Sequence, residues 1–272
     1  MTEGARMVTV TINKSQYRAE EGETMLSVAM RNGIDIPHLC YEEVLDPYGA
    51  CRLCMVDHVT CGKRTMMTAC TMRAKEGLEI MTDTPEIVRY RSTLFELYLA
   101  QAPKSDVIKE MAARYGVTKT RFLKKIVHDD PLGGKCILCG LCVRVCDEIM
   151  GGSAIGFINR GPSTVVNTPF FDENPACLGC GTCAKVCPTH AIEIEDQGDT
   201  RIMKSWSGTR IALQMCPDCG QYFAPKEMLE EILSLPDPGI VEELKPLCPA
   251  CRAKVIAKGM FKATFQGSVH HG

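Results

Sequence analysis

Two short runs constrain this chain more than anything else in it. "CILCGLCVRVC" (136–146) recurs as "CLGCGTCAKVC" (177–187), a period of 41 residues with every cysteine in register. The segments that follow also end alike, in "AIGFI" (154–158) and "AIEIE" (191–195), the first after four extra residues. Duplication of one metal-binding half is the economical reading. Each run spaces its cysteines C-x2-C-x2-C-x3-C. Three cysteines at that spacing wrap a loop round one inorganic centre, while the fourth begins a helix leading to the neighbouring centre. A segment built this way folds around metal.

The chain holds 17 Cys in 272 residues. Its start, "MTEGARMVTV", is neither basic nor followed by an apolar stretch, so no secretion signal is expected. Cytosolic thiols are kept reduced, so a disulfide framework is excluded in favour of metal sites. The doubled run is that of bacterial ferredoxins, in which the fourth cysteine of each motif ligates the other cluster. Cys136, Cys139, Cys142 and Cys187 are therefore expected to hold one [4Fe–4S] cluster, and Cys146, Cys177, Cys180 and Cys183 the second. Three cysteines per loop exceed what a zinc knuckle uses. Pro188 follows Cys187, but Asp147 follows Cys146, a departure that touches helix geometry and not ligation.

The front of the chain reads as a small α/β unit. "MVTVTI" alternates like a strand, Asn13–Lys14 turn, and "SQYRAE" returns as hairpin partner. "ETMLSVAMRNG" is helical, with Leu26, Ala29 and Met30 on one face and Gly33 as C-cap. Strand, strand, helix and then a cysteine loop open a β-grasp ferredoxin. The plant-type [2Fe–2S] pattern needs a cysteine, a loop, C-x2-C and a distant fourth. Cys40, Cys51 and Cys54 supply the first three, with Gly49 and Ala50 leaving room for backbone N–H groups near the sulfides.

Two cysteines, Cys61 and Cys70, compete for the fourth place. "MVDHV" is strand-like, "TCGK" a turn and "RTMMT" a returning strand. Cys61 then rides the hairpin tip, roughly 20 Å from Cys54, and the return strand brings Cys70 back beside it. Cys70 is the expected ligand, and Cys61 the spare, a free thiol.

Residues 84–128 contain no cysteine. "TPEIVRYRSTLFELYLAQ" has Thr84 as N-cap and Pro85 in the first turn, and a second helix over about Lys104–Tyr115 stops at Gly116. His128 reads as a loop residue. Beyond residue 201, "CPDCGQYF" and "CPAC" bracket a charged helix, "PKEMLEEILS", and a basic, moderately amphipathic tail follows, a docked or frayed terminus in which His270 and His271 are assigned no role. Cys216, Cys219, Cys248 and Cys251 form two knuckles, the signature of a tetrahedral all-thiolate site. Zn2+ is favoured; a single rubredoxin-like iron or a further cluster stays open. The role is structural or docking.

The expected layout is α+β: a β-grasp [2Fe–2S] ferredoxin domain (1–83), a helical connector (84–130), a bacterial-type 2[4Fe–4S] ferredoxin domain (131–200), and a four-cysteine zinc-ribbon-like module with tail (201–272). Net charge is −2, so no basic field points to nucleic acid, and no apolar run approaches a bilayer span. "GGSAIG" (151–156) has the wrong spacing for dinucleotide binding, and no Walker loop or catalytic triad is present. Helix carboxylates such as Glu230 and Glu231 read as solvated surface. A chain of this kind carries single electrons in the cytoplasm, has no substrate site of its own and needs a partner that accepts hydride.

The order of these parts, carried by "IPHLCYEEVLDPYGACRLCMVD", "TACTMRAKEGLEI" and "KCILCGLCVRVCDEIMGGSAIGFINRG", resembles the N-terminal part of the large iron–sulfur subunit of NADH:quinone oxidoreductase. That region is shared with diaphorase subunits of NAD-linked hydrogenases and the front of [FeFe]-hydrogenases, and the resemblance covers about residues 7–196. It implies a flavin/NAD(H)-binding partner subunit of the complex I type and a second redox subunit, with soluble ferredoxin as a further partner. The complex would be an NAD(P)-linked hydrogenase, formate dehydrogenase or bifurcating enzyme. The family often adds a cluster held by one histidine and three cysteines, but residues 71–135 offer no thiol, so that cluster is expected to be absent. The chain ends in the four-cysteine module instead of a catalytic domain. Rival readings are an iron–sulfur subunit of a quinone-linked dehydrogenase and a redox or zinc-ribbon regulator. The first pairs its [2Fe–2S] domain with clusters of differing type, whereas both runs here are complete for [4Fe–4S].

Overall fold

The structure, a computed structural model, describes residues 6–123, 130–234 and 247–266, with the side chains of Leu233 and of residues 258–266 left out. His128, His270 and His271 lie outside the described residues. The chain divides into two units: Met1–Gly151 with Gly156–Val166 and Thr182–Ile192, and Gly152–Ile155 with Asn167–Gly181 and Glu193–Gly272.

In the first unit the alternating front strand is β1, Met7–Ile12, which turns inward Val8, Val10 and Ile12. It pairs antiparallel with β2, Ser15–Glu20. The intervening Asn13 and Lys14 sit at φ 51° and 70°, the left-handed pair that a two-residue hairpin turn demands. Helix α1, Met25–Arg31, buries Met25, Leu26, Val28 and Ala29. Met30, expected on that face, is 43% exposed instead, and Met25 and Val28 take its place in the core. The helix ends as the sequence predicts. Gly33 at φ +70° lets its own N–H reach the Met30 carbonyl and the Ile34 N–H reach the Ala29 carbonyl, the paired closure of a left-handed C-cap.

Strands β3 (Met55–Thr60), β4 (Lys63–Thr68) and β5 (Glu79–Met81) complete a five-stranded sheet in the order β2-β1-β5-β3-β4. Only the β1–β5 pairing in it is parallel. Its core includes Val10, Ile12, Leu26, Val28 and Ile80, each such aliphatic chain contributing about 1.5–3 kcal/mol on burial. Cys54 and Cys70 belong to the same core.

Helices α2 (Pro85–Gln101) and α3 (Asp106–Arg114) fill the cysteine-free stretch, and α3 closes at Gly116 (φ +71°) with the same C-cap pattern as α1. Thr84 does more than cap α2. Its Oγ1 accepts from the Ile87 N–H at 3.4 Å and donates to the buried Asp57 carboxylate at 2.6 Å. Thr84→Ala removes the cap and one donor from a buried charge, so it should cost about 2–3 kcal/mol, while Thr84→Ser keeps both. Urea midpoints of the two variants check this.

Two short helices, α4 (Leu141–Arg144) and α5 (Thr182–Lys185), follow the first two cysteines of the two runs and carry the third, Cys142 and Cys183. Between them lie the short strands β6 (Gly156–Ile158) and β7 (Val165–Asn167). The expectation that the fourth cysteine begins a helix is not met: each helix starts earlier, at Leu141 and at Thr182. Cys146 lies in a π-helical turn, Val145–Ile149, that continues α4, whereas Cys187 comes after the end of α5. The difference follows from the next residue: Pro188 has no N–H to continue a helix, and Asp147 does.

The second unit carries an antiparallel sheet of β8 (Glu195–Gln197), β9 (Thr200–Met203), β10 (Thr209–Met215) and β11 (Tyr222–Pro225), followed by α6 (Lys226–Leu233) and α7 (Pro249–Gln266). "AIEIE" forms no strand before Glu195. Trp206, the single tryptophan, is buried with Met203. No helix among the described residues is long and apolar enough to cross a membrane.

Candidate metal centres

Cys40, Cys51, Cys54 and Cys70 are buried thiols, Cys54 and Cys70 in the core of the sheet and α1, Cys40 and Cys51 in a cluster with residues of α2 and α3. Backbone pairing explains Cys70: β4 runs back along β3, Met55 opposes Thr68, and the Ala69 N–H bonds the Cys54 carbonyl at 2.9 Å. Cys61 is exposed and sits in the turn with Gly62, at φ 50° and 73°, where the hairpin reading placed it. The four buried thiols associate in two pairs. The Cys40 and Cys51 thiols act on one another, which raises the first and lowers the second to about 6. Cys54 and Cys70 do the same, lowering Cys54 and raising Cys70. The Cys51 N–H also donates to Cys40 Sγ at 3.2 Å.

Helix α2 supplies two contacts that cysteine spacing could not reveal. Tyr98 Oη donates to the Cys51 carbonyl at 2.8 Å. Arg91, fully buried, donates to the Leu53 carbonyl at 3.1 Å and to the Met55 carbonyl at 2.8 Å, and pairs with Asp83 at 3.0 Å. The only signal for Arg91 was a charged residue on a helix of the cysteine-free connector.

Cys136, Cys139, Cys142 and Cys187 line one cavity of the first unit, closed by Leu132, Val166 and Ala191 among others. Leu138 (φ 56°) and Gly140 (φ 81°) bend the loop so that the Leu138 N–H reaches Cys136 Sγ at 3.3 Å, and the Ala191 N–H reaches Cys187 Sγ at 3.3 Å. A Cβ on Gly140 would meet Phe157 Cζ at 3.4 Å as well as a disfavoured backbone. Burial pushes Cys139 up to about 12 and raises Cys142. Buried thiols with such high values become ligands only where a cation compensates the thiolate charge. Cys139 also packs beside Ile137, Cys51 and Tyr98 in one apolar cluster, so the two thiol sites of this unit are neighbours.

Of the remaining run, Cys146 and Cys183 belong to the first unit and Cys177 and Cys180 to the second. In the second unit Arg201 forks onto Asp196 at 2.7 and 2.8 Å and donates to the Gly179 carbonyl at 2.8 Å, between Cys177 and Cys180. This contact, too, was invisible in the spacing.

Cys216, Cys219, Cys248 and Cys251 place their sulfurs within 4.8 Å of one another, with Cys219 exposed and the others buried. Tetrahedral zinc with Zn–S of about 2.3 Å needs sulfurs about 3.8 Å apart. Cys219 Sγ lies 3.6 Å from Cys248 Sγ, so the donor set fits. The first pair sits in the β10–β11 turn, where the Gly220 N–H bonds the Cys216 carbonyl, and the second pair opens α7. The Cys248 N–H, at 3.4 Å, is the leading cause that holds Cys216 down to about 6.

Parts of the chain are similar to known proteins. Residues 5–85 match the 2Fe-2S iron-sulfur cluster binding domain, and residues 175–193 the 4Fe-4S binding domain. A G-type subunit of the NADH-quinone oxidoreductase of Rhizobium meliloti is 34% identical over 206 residues, covering 68% of this chain and 24% of that protein. NADPH-Fe(3+) oxidoreductase subunit alpha of Geobacter sulfurreducens is 33% identical, with 68% and 24% covered. NADP-reducing hydrogenase subunit HndD of Solidesulfovibrio fructosivorans is 28% identical, with 68% and 36% covered. Among solved structures, the NAD+-reducing [NiFe]-hydrogenase in the H2-reduced state superposes with a TM-score of 0.51 at 27% identity, covering 60% of this chain and 75% of that one. The chain spans about a quarter of the length of the first two relatives. Over about two thirds of its length the chain is a homologue of the G-type NADH-quinone oxidoreductase subunits and of the hydrogenase subunit, and residues 5–85 carry a [2Fe–2S] domain.

Proposed function

We propose that this chain is an electron-relay subunit of a multi-subunit, NAD(P)-linked oxidoreductase, working in the cytoplasm between a flavin/NAD(H)-binding subunit and a second redox partner. The observation that carries the reading is the adjacency, within one unit, of the thiol group Cys40, Cys51, Cys54 and Cys70 and the cavity of Cys136, Cys139, Cys142 and Cys187. In this reading the first group, Cys40, Cys51, Cys54 and Cys70, would hold [2Fe–2S]. The second holds [4Fe–4S]. A second [4Fe–4S] on Cys146, Cys177, Cys180 and Cys183 rests on the spacing of the repeated run.

These clusters supply one-electron chemistry when bound. The chain's own residues position the thiols that would hold them and orient the N–H groups of Cys51, Leu138 and Ala191 onto cysteine sulfurs. Plant-type [2Fe–2S] centres lie near about −400 mV, in the range of nicotinamide and hydrogen chemistry. Cys216, Cys219, Cys248 and Cys251 take Zn2+ in a zinc-ribbon-like module with a structural role. The domain boundaries are those of the cysteine groups, at about residues 83, 130 and 200.

Metal analysis and an EPR redox titration on anaerobically purified protein test this. The expected result is about ten iron and about one zinc per chain. About fourteen iron without zinc would make the C-terminal site a cluster, and about two iron with several zinc would sink the relay.

A further inference from the structure

Helix α2 turns two residues of one face, Arg91 and Tyr98, two helical turns apart, onto the segment Cys51–Met55. Tyr98 takes the Cys51 carbonyl, Arg91 Nε the Leu53 carbonyl and Arg91 Nη2 the Met55 carbonyl. Every second carbonyl of the C-x2-C segment is thereby drawn to the helix. In a trans peptide the C=O and the following N–H point in opposite directions. The clamp therefore turns the amides of Arg52, Cys54 and Val56 off the helix and fixes the orientation of the peptides that carry Cys51 and Cys54.

The charge of Arg91 acts in the same place. Its side chain is 0% exposed, while the carboxylate that pairs with it, Asp83, is 58% exposed. Solvent weakens the counter-charge on the Asp83 side, and no such screening reaches the carbonyls of Leu53 and Met55 on either side of Cys54. Among the described residues, the guanidinium also donates to the Tyr115 hydroxyl, at 3.3 Å. One-electron reduction adds a negative charge to a cluster, and a buried cation beside a ligand favours that form.

We propose that Arg91 and Tyr98 are positioning residues of the [2Fe–2S] centre, which clamp its C-x2-C segment to α2 and raise its reduction potential. The inference rests on the ligand reading above. The two fail separately. A wild-type chain with no reducible [2Fe–2S] signal, or one whose signal survives Cys70→Ser, overturns the ligands before any α2 variant is read.

The experiment is an EPR redox titration of the full chain, with iron content and melting temperature, for R91Q, R91K and Y98F. In R91Q the ratio of reduced to oxidised [2Fe–2S] at a fixed potential should fall about tenfold, a shift of about 59 mV to the negative for a one-electron couple. R91K keeps the charge without the fork and should shift less. Y98F, which loses one hydrogen bond and keeps the ring, should fall about threefold. The [4Fe–4S] signals should keep their potentials. Should R91Q fail to fold, Y98F decides alone. Full or reduced occupancy at the wild-type potential in Y98F and in every Arg91 variant that folds would leave these residues a merely structural role and overturn the proposal.

Discussion

Cys70→Ser should abolish the [2Fe–2S] EPR signal and leave both [4Fe–4S] signals in place, whereas Cys61→Ser should change none of them. The contrast is large because the two cysteines flank one strand yet occupy opposite environments. Cys70 is 1% exposed and lies in the sheet core with Cys54, held there by the β3–β4 register and the Ala69–Cys54 hydrogen bond. Cys61 sits in a two-residue turn at the far end of the same hairpin, facing solvent. Serine at position 70 leaves three thiolates for two irons, and a neutral hydroxyl does not replace a thiolate there. Iron content should drop by about two per chain, with the zinc unchanged. Equal loss in Cys61→Ser, or a persistent signal in Cys70→Ser, would show that another sulfur completes the site.

The residues that were legible in the sequence are those whose chemistry fixes a spacing. The Asn13–Lys14 and Cys61–Gly62 turns, the Thr84 cap, the Gly33 C-cap and the return of Cys70 to Cys54 follow from local backbone rules, and the structure places them accordingly. The pattern did not contain the supports that come from elsewhere in the chain. Arg91 and Tyr98 reach the Cys51–Met55 segment across about forty residues of sequence, and a buried arginine on a helix looks the same in sequence as a solvated one. Arg201 at the Gly179 carbonyl was hidden for the same reason. Met30 failed in the opposite direction. Helical spacing allowed it a place in the core, but the face of α1 that meets the sheet is centred nearer Met25 and Val28, which packing alone decides. The start of α4 before Cys146 was set by the left-handed Gly140, a conformation that the cysteine count does not encode.

Cys248→Ser should release the metal of the C-terminal site and melt α7 away from the β10–β11 hairpin, with the iron–sulfur signals unaffected. The local core explains the size of the effect. Its buried members are Cys216, Leu247, Cys248 and Cys251, with Phe223 packed against them, so most of its interior is ligand. The second pair of ligands opens α7, so the metal ties the start of that helix to the hairpin, and metal binding at such sites contributes on the order of 10 kcal/mol. Cys248 is the most consequential of the four to remove. It is buried, and its sulfur lies 3.6 Å from that of Cys219 in the other knuckle, so the side chain that the substitution removes joins the two pairs. Zinc content should fall from about one to near zero per chain, helical circular dichroism should drop, and limited proteolysis should nick the chain beyond Leu233. Treating the wild-type protein with a zinc chelator should reproduce all three changes. Zinc retained with an unaltered spectrum would mean that three thiolates suffice and that apolar packing, not the metal, holds α7.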